Sequence, residues 1–156
     1  NIDPTPEQLA NIAVCTAQIA ARYTDDPIRV AMLSFTSFGS VRTGSPKKVS
    51  QAVKMLDNMS VKFEFDGEMQ ADVALDKGLR DSEFPFCNLK GNANVLVFPD
   101  LDSANISYKL LTHLGGLTPT GPILVGLNKP ANVLQRSATV QEIANMIYLT
   151  AHQAGQ

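Results

Sequence analysis

Apolar residues along this chain recur at two spacings, and the switch between them marks out the elements. Leu9, Ile12, Ala13, Ile19, Ala20 and Tyr23 fall on one helical face. Thr5-Pro6-Glu7-Gln8 before them supplies a threonine N-cap, a proline at the first helical position and a glutamine at N3, a capping box. Asp25-Asp26-Pro27 ends this helix, and residues 28–33 form a short apolar run of the buried-strand type. A loop rich in hydroxyls and glycine spans 34–45, and Ser45-Pro46 opens a second helix carrying Val49, Val53 and Leu56. Residues 61–65 alternate as a strand that stops at an Asp66-Gly67 turn, and 69–79 predict a third helix. Phe84-Pro85-Phe86 is a loop with apolar anchors. Residues 94–98 predict another buried strand stopped by Pro99, then a helix over 104–114 closed by Gly115-Gly116. A further strand is expected over 123–127, and Thr139 with Glu142 repeats the capping box ahead of a last helix reaching about Gln153.

Alternating helix and strand with short connections implies an α/β fold, layered helix/sheet/helix with a mainly parallel sheet. With no internal repeat or low-complexity linker, residues 1–156 are expected to form one domain, cut from a larger chain. The charged fraction, 18%, is below the roughly 25% usual for globular chains, while apolar residues reach 44%. Other subunits or the rest of the parent are therefore expected to cover part of the surface. A net charge of −2 argues against nucleic-acid or membrane-surface binding, both of which favour a basic face. Cys15 and Cys87 have neither zinc-site spacing nor the numbers for a disulfide framework, which fits a reducing cytoplasm.

Ligands of such folds gather beyond the carboxyl ends of the strands. Three segments there carry suitable side chains. In the first, Ser34, Thr36, Ser37, Gly39, Ser40 and Arg42 offer donors to phosphate or acyl oxygens, although an ordinary polar turn would look the same. Gly39 and Gly44-Ser45 have P-loop spacing, but the lysine is missing and Pro46 replaces the hydroxyl residue. In the second, Asn105 and Lys109 stand four apart on one helix face, with Tyr108 read as core. In the third, Lys129 and Arg136 have the charge to neutralise a phosphate jointly, or are simply solvated. Acid–base machinery is thin. His113 and His152 lack carboxylate partners in sequence, and Asp66 with Glu68, the best pair for base or metal work, is better explained as a turn. No metal-ligand cluster or dinucleotide fingerprint is present. The residues by themselves reach as far as an anion-binding α/β domain.

Taken in order, Val30-Ala31-Met32-Leu33-Ser34-Phe35, Phe65-Asp66-Gly67-Glu68-Met69-Gln70-Ala71-Asp72, Ala93-Asn94-Val95-Leu96-Val97-Phe98-Pro99-Asp100-Leu101, Asn105-Ile106-Ser107-Tyr108-Lys109 and Gly121-Pro122-Ile123-Leu124 resemble the C-terminal half of phosphate acetyltransferases. The resemblance covers nearly the whole chain. It implies a phosphotransacetylase-like fold of the isocitrate/isopropylmalate dehydrogenase type, and transfer of acetyl between coenzyme A and phosphate in a cleft between two α/β domains. A finer resemblance lies in Phe35-Thr36-Ser37-Phe38-Gly39-Ser40, Phe84-Pro85-Phe86 with Leu89-Lys90-Gly91, Ser107 and Val133-Leu134. These are similar to the related domain fused to bacterial NADP-dependent malic enzymes. That likeness implies a domain that senses acetyl-CoA and helps assemble a homo-oligomer, commonly a hexamer. Malate oxidation, with its NADP and divalent metal, then belongs to a catalytic domain elsewhere in the same chain.

Transferases of this family carry Leu-Ser-Arg-Gly after a Lys/Met-Pro turn and an aspartate at the start of the last helix. Here the match is Leu134-Gln135-Arg136-Ser137, and Glu142 takes the aspartate position. The resemblance gives these positions thiol deprotonation and charge stabilisation, roles sensitive to placement. The expectation is a degenerate transferase site at Gln135, Arg136 and Glu142, with no catalytic residue and no cofactor or metal in this domain, and with acetyl-CoA as effector. Two further readings stay open: the second half of an active phosphate acetyltransferase, and a structural oligomerisation domain whose ligand site has decayed.

Overall fold

A computed structural model of the chain describes residues 1–155. The elements run α1 (Pro6–Ala20), β1 (Arg29–Leu33), α2 (Gly44–Asp57), β2 (Glu64–Met69), α3 (Ala71–Leu75), α4 (Lys77–Glu83), β3 (Val95–Val97), α5 (Leu101–Leu114) and α6 (Val140–Ala154). Two compact units divide within α5, the first comprising residues 1–107 and the second beginning at Tyr108.

In the first unit β2, β1 and β3 form a parallel sheet with β1 in the middle. The side-chain period of two sorts each strand between two cores. Val30, Met32, Val95 and Val97 join Leu9, Ala13 and Ala17 of α1 and Val49, Val53 and Leu56 of α2. Ala31 and Leu33 point the other way, to Met69, Val73, Ala74 and Leu89. A strand segment buried on both faces has to be apolar, which is why residues 30–33 of β1 were legible as an apolar run. The predicted capping box of α1 is present: Gln8 N donates to Thr5 Oγ1 at 3.2 Å and Thr5 N to Gln8 Oε1 at 3.0 Å.

Several expectations are corrected. The strand expected at 61–65 is β2, displaced to Glu64–Met69, so Asp66-Gly67 lies inside a strand and is no turn. The helix expected over 69–79 is two: Asp76 stops α3 and caps α4 by accepting from Leu79 N at 3.0 Å. Tyr23 lies beyond the end of α1 and is exposed.

In the second unit residues 123–127 are irregular rather than a strand. Asn132 ties this stretch down: its Oδ1 accepts from Leu124 N at 3.0 Å, and its Nδ2 donates to Thr150 Oγ1 and Gln153 Oε1 of α6 at 2.9 and 3.0 Å. A side-chain amide therefore supplies partners that a neighbouring strand would have given. The second capping box forms as expected at Thr139 and Glu142. Large apolar side chains stay open to solvent at Leu110, Leu111 and Leu114 of α5 and at Val140, Ile143 and Ile147 of α6. No helix among the described residues is long and apolar enough to cross a membrane.

Candidate functional site

The first candidate segment follows β1, and a bulge in the neighbouring strand shapes it. Met32 pairs with Gly67 but Leu33 pairs with Met69, so Glu68 is an extra residue in β2. A bulge re-aims the side chain it carries and releases its backbone from the ladder. Both consequences are seen. The Glu68 carbonyl accepts from Phe38 N at 2.8 Å, and its Oε1 accepts from Gly39 N at 2.5 Å. The loop thereby takes a left-handed course at Phe38 and Gly39, with φ of 49° and 84°. Ser37 bonds inward, its Oγ accepting from Gln70 N at 3.0 Å, and Phe38 packs on Phe84 and Phe86 with centroids 4.9 and 5.0 Å away. Gly67 is obligatory: a Cβ there would lie 2.5 Å from the Met32 carbonyl oxygen.

Asp66 is also structural. Its Oδ1 accepts from Gly67 N at 2.8 Å and its Oδ2 from Asn88 N at 2.7 Å. Nearby Cys87 has its thiol pKa pushed up to about 11, first by burial and then by the charge and hydrogen bonding of Asp66, against the Leu89 N–H. Arg80, fully buried, donates to carbonyls: Nη1 to Val73 and Ala74 at 2.9 and 3.2 Å, Nη2 to Gly91 at 2.6 Å. It closes the C-terminal turn of α3 with positive charge where the helix carbonyls are free. Among the described residues no group of His, Cys, Asp and Glu is arranged to hold a metal ion.

The second unit holds a cleft of about 140 Å³, lined among others by Tyr108, Lys109, Gln135, Ser137, Glu142 and Asn145. Its size suits an acyl or phosphoryl group, well short of the roughly 300 Å³ or more of a drug-sized site. Lys109 is its cation and lies 4.9 Å from the Tyr108 ring centroid. Tyr108 is half-buried at the cleft wall, a correction to the core position expected. Glu142 Oε2 accepts from Thr139 N at 2.7 Å and from Thr139 Oγ1 at 2.9 Å. These two donors, the N–H first, hold its carboxyl pKa below the ordinary value. No histidine or cysteine is among the described residues lining the cleft.

The structure thus divides the sequence candidates. Lys109, Gln135 and Glu142 meet at the cleft, whereas exposed Lys129 and Arg136 do not line it. Asn105 belongs to the first unit and is not among the residues lining this cleft. Thr36 and Ser37 are buried, Ser34 Oγ is enclosed without a hydrogen-bond partner among the described residues, and Ser40 Oγ donates to the Ser37 carbonyl at 2.8 Å, so Ser37 and Ser40 shape the loop. Gly39 and Arg42 border a separate groove of about 390 Å³ with Lys47, Ser50, Gln51, Lys54 and Glu68. The α2 members of that groove were missed, although their spacing of three, four and seven was there to be read.

The chain is 46% identical over 152 residues to the NADP-dependent malic enzyme of Rhizobium meliloti, covering 97% of this chain and 20% of that one. It is 40% identical over 154 residues to the phosphate acetyltransferase of Bacillus subtilis, covering 99% of this chain and 47% of that one. The crystal structure of a phosphotransacetylase from Streptococcus pyogenes superposes with a TM-score of 0.91 at 41% identity, over 99% of this chain and 46% of that one. The chain thus spans about half of the phosphate acetyltransferases it matches and a fifth of the malic enzyme. With the family's sequence pattern matched over residues 1–151 and its fold reproduced, the chain belongs to the phosphate acetyl/butaryl transferase family.

Proposed function

We propose that this chain is the acetyl-CoA-sensing regulatory and oligomerisation domain of a multidomain NADP-dependent malic enzyme, without transferase activity of its own. The observation that carries the reading is that Glu142 is engaged as a helix cap, its Oε2 accepting from both Thr139 N and Thr139 Oγ1. Attack by a coenzyme A thiol requires a base, and Glu142 is the carboxylate at the cleft. Thr139 holds it below the ordinary carboxylate range, which makes it a weaker proton acceptor still. Gln135, beside it, offers an amide where the family's transferases have a hydroxyl. Lys109 nevertheless keeps an anion-binding cation at the cleft, and binding requires only donors.

The effector would act by binding one quaternary state more tightly than another, the only way a ligand shifts such an equilibrium. The exposed apolar side chains of α5 and α6 support an assembly role, in a homo-oligomer such as a hexamer. NADP and a divalent metal would belong to the malic-enzyme catalytic domain. The test is calorimetry of the chain with acetyl-CoA beside an assay for acetyl phosphate. We expect binding that weakens in Lys109→Ala, and no acetyl phosphate. Rapid acetyl phosphate formation would overturn the reading.

The retained arginine, Arg136, and 40% identity to the Bacillus subtilis transferase favour a second reading, half of an active phosphate acetyltransferase. Under it, the longest protein carrying this chain makes acetyl phosphate, and Glu142→Gln abolishes the activity.

A further inference from the structure

We propose that the groove between the β1–α2 loop and α2 binds an oligophosphate, a ligand with at least two phosphoryl groups in series, at a site separate from the cleft of the second unit. Lys47, Ser50, Gln51 and Lys54 stand at i, i+3, i+4 and i+7 of α2 and form one polar face, with Val49, Val53 and Leu56 buried on another. Arg42 enters from the loop, and the space enclosed, about 390 Å³, is within the range of small-molecule sites.

A solvated helix face would present the same side chains, but three observations single this one out. The wall opposite α2 is preformed, because Gly39 is held at 2.5 Å by Glu68, itself only 2% exposed. Of the other cations of the first unit, Lys48 pairs with Asp3, Lys77 with Asp81 and Arg29 with Glu64, while Arg22, Lys62 and Lys90, which have no ion pair among the described residues, do not line this groove. Among the described residues Arg42, Lys47 and Lys54 have no such partner, and against the single carboxylate of Glu68 they leave the groove positive in a chain of net charge −2.

Spacing sets the ligand class. Seven residues of α-helix separate Lys47 from Lys54 by roughly 10 Å along the axis, too far for one phosphoryl group to lie against both stems. Two or more in series can take a charge-assisted hydrogen bond from each, and a bidentate pair from Arg42.

The test is calorimetry at low ionic strength with tripolyphosphate, ADP, coenzyme A and orthophosphate as probes. Wild-type chain is expected to bind tripolyphosphate much more tightly than orthophosphate, with affinity falling as salt rises. The Lys47→Ala/Lys54→Ala double variant should lose about tenfold, two exposed charge contacts at the upper end of their usual worth. Lys129→Ala, outside the groove, should leave tripolyphosphate binding unchanged, and the loss caused by Lys47→Ala/Lys54→Ala should persist in a Lys109→Ala background, which separates this site from the cleft. Tighter binding of ADP or coenzyme A than of tripolyphosphate would identify a nucleotide as the source of the phosphates. Equal affinity for orthophosphate, an unaffected double variant, or no tripolyphosphate binding at all would overturn the proposal.

Discussion

Glu68 Oε1 accepts a hydrogen bond from Gly39 N at 2.5 Å, joining the bulge of β2 to the loop that follows β1. One buried carboxylate thereby determines the course of the segment that carries Arg42. Glu68→Ala leaves the Gly39 N–H without its acceptor and is expected to cost ~2 kcal/mol in urea unfolding. Faster amide exchange at Gly39 and Ser40 should accompany that loss. An unchanged unfolding midpoint would show that the clamp contributes nothing.

Arg80 predicts a larger effect. Arg80→Met would keep an apolar stem but strand the carbonyls of Val73 and Gly91, while that of Ala74 would keep the Ala93 N–H alone. The expected cost is about 3 kcal/mol, read by chemical denaturation. Arg80→Lys should recover little of it, because one ammonium cannot reproduce the planar fork that reaches carbonyls on both sides.

Acid should loosen two helix N-termini. Asp100 accepts from Ser103 N at 2.8 Å and from Ser103 Oγ at 2.7 Å, and these bonds hold its carboxyl pKa below the ordinary value, as Thr139 does for Glu142. The unfolded chain therefore binds these protons more readily. The stability they confer is present above the ordinary carboxylate pKa near 4, and is lost as pH falls through the lower folded values. Amide exchange at the first turns of α5 and α6 should rise over that acid range. Glu142→Gln should flatten the response at α6 alone.

Cys87 should be slow to alkylate. With its thiol pKa pushed up to about 11, it stays protonated at pH 8 and lacks the reactive thiolate. Iodoacetamide is expected to modify it far more slowly in the folded chain than in urea. Equal rates would contradict the burial that causes the shift.

Much of the fold could be read from residue order because the signals are local. A capping box is complete within four residues, and both form, at Thr5 with Gln8 and at Thr139 with Glu142. β1 is apolar because it is buried on both faces, which a short run reveals. Asp76 was passed over because a capping aspartate between two short helices looks like one more turn of a longer helix.

The candidate site was legible in part. Lys109, Gln135 and Glu142, all candidates from the sequence, line one cleft, whereas Arg136, adjacent to Gln135, does not. Neighbours in an irregular segment point in different directions, and sequence spacing carries no information on which of them faces a cavity.

The amino-acid order by itself determined the α/β class, the two capping-box helix starts and the family, since these rest on short-range patterns and on motifs in series. Tertiary structure alone decided that Asp66 and Glu68 are clamps inside a strand, that residues 123–127 lean on Asn132, and that α2 shares a groove with Arg42. Each of these depends on a bulge, a distant amide or a loop held from across the sheet. Such contacts join residues remote in the chain, and no local spacing encodes them.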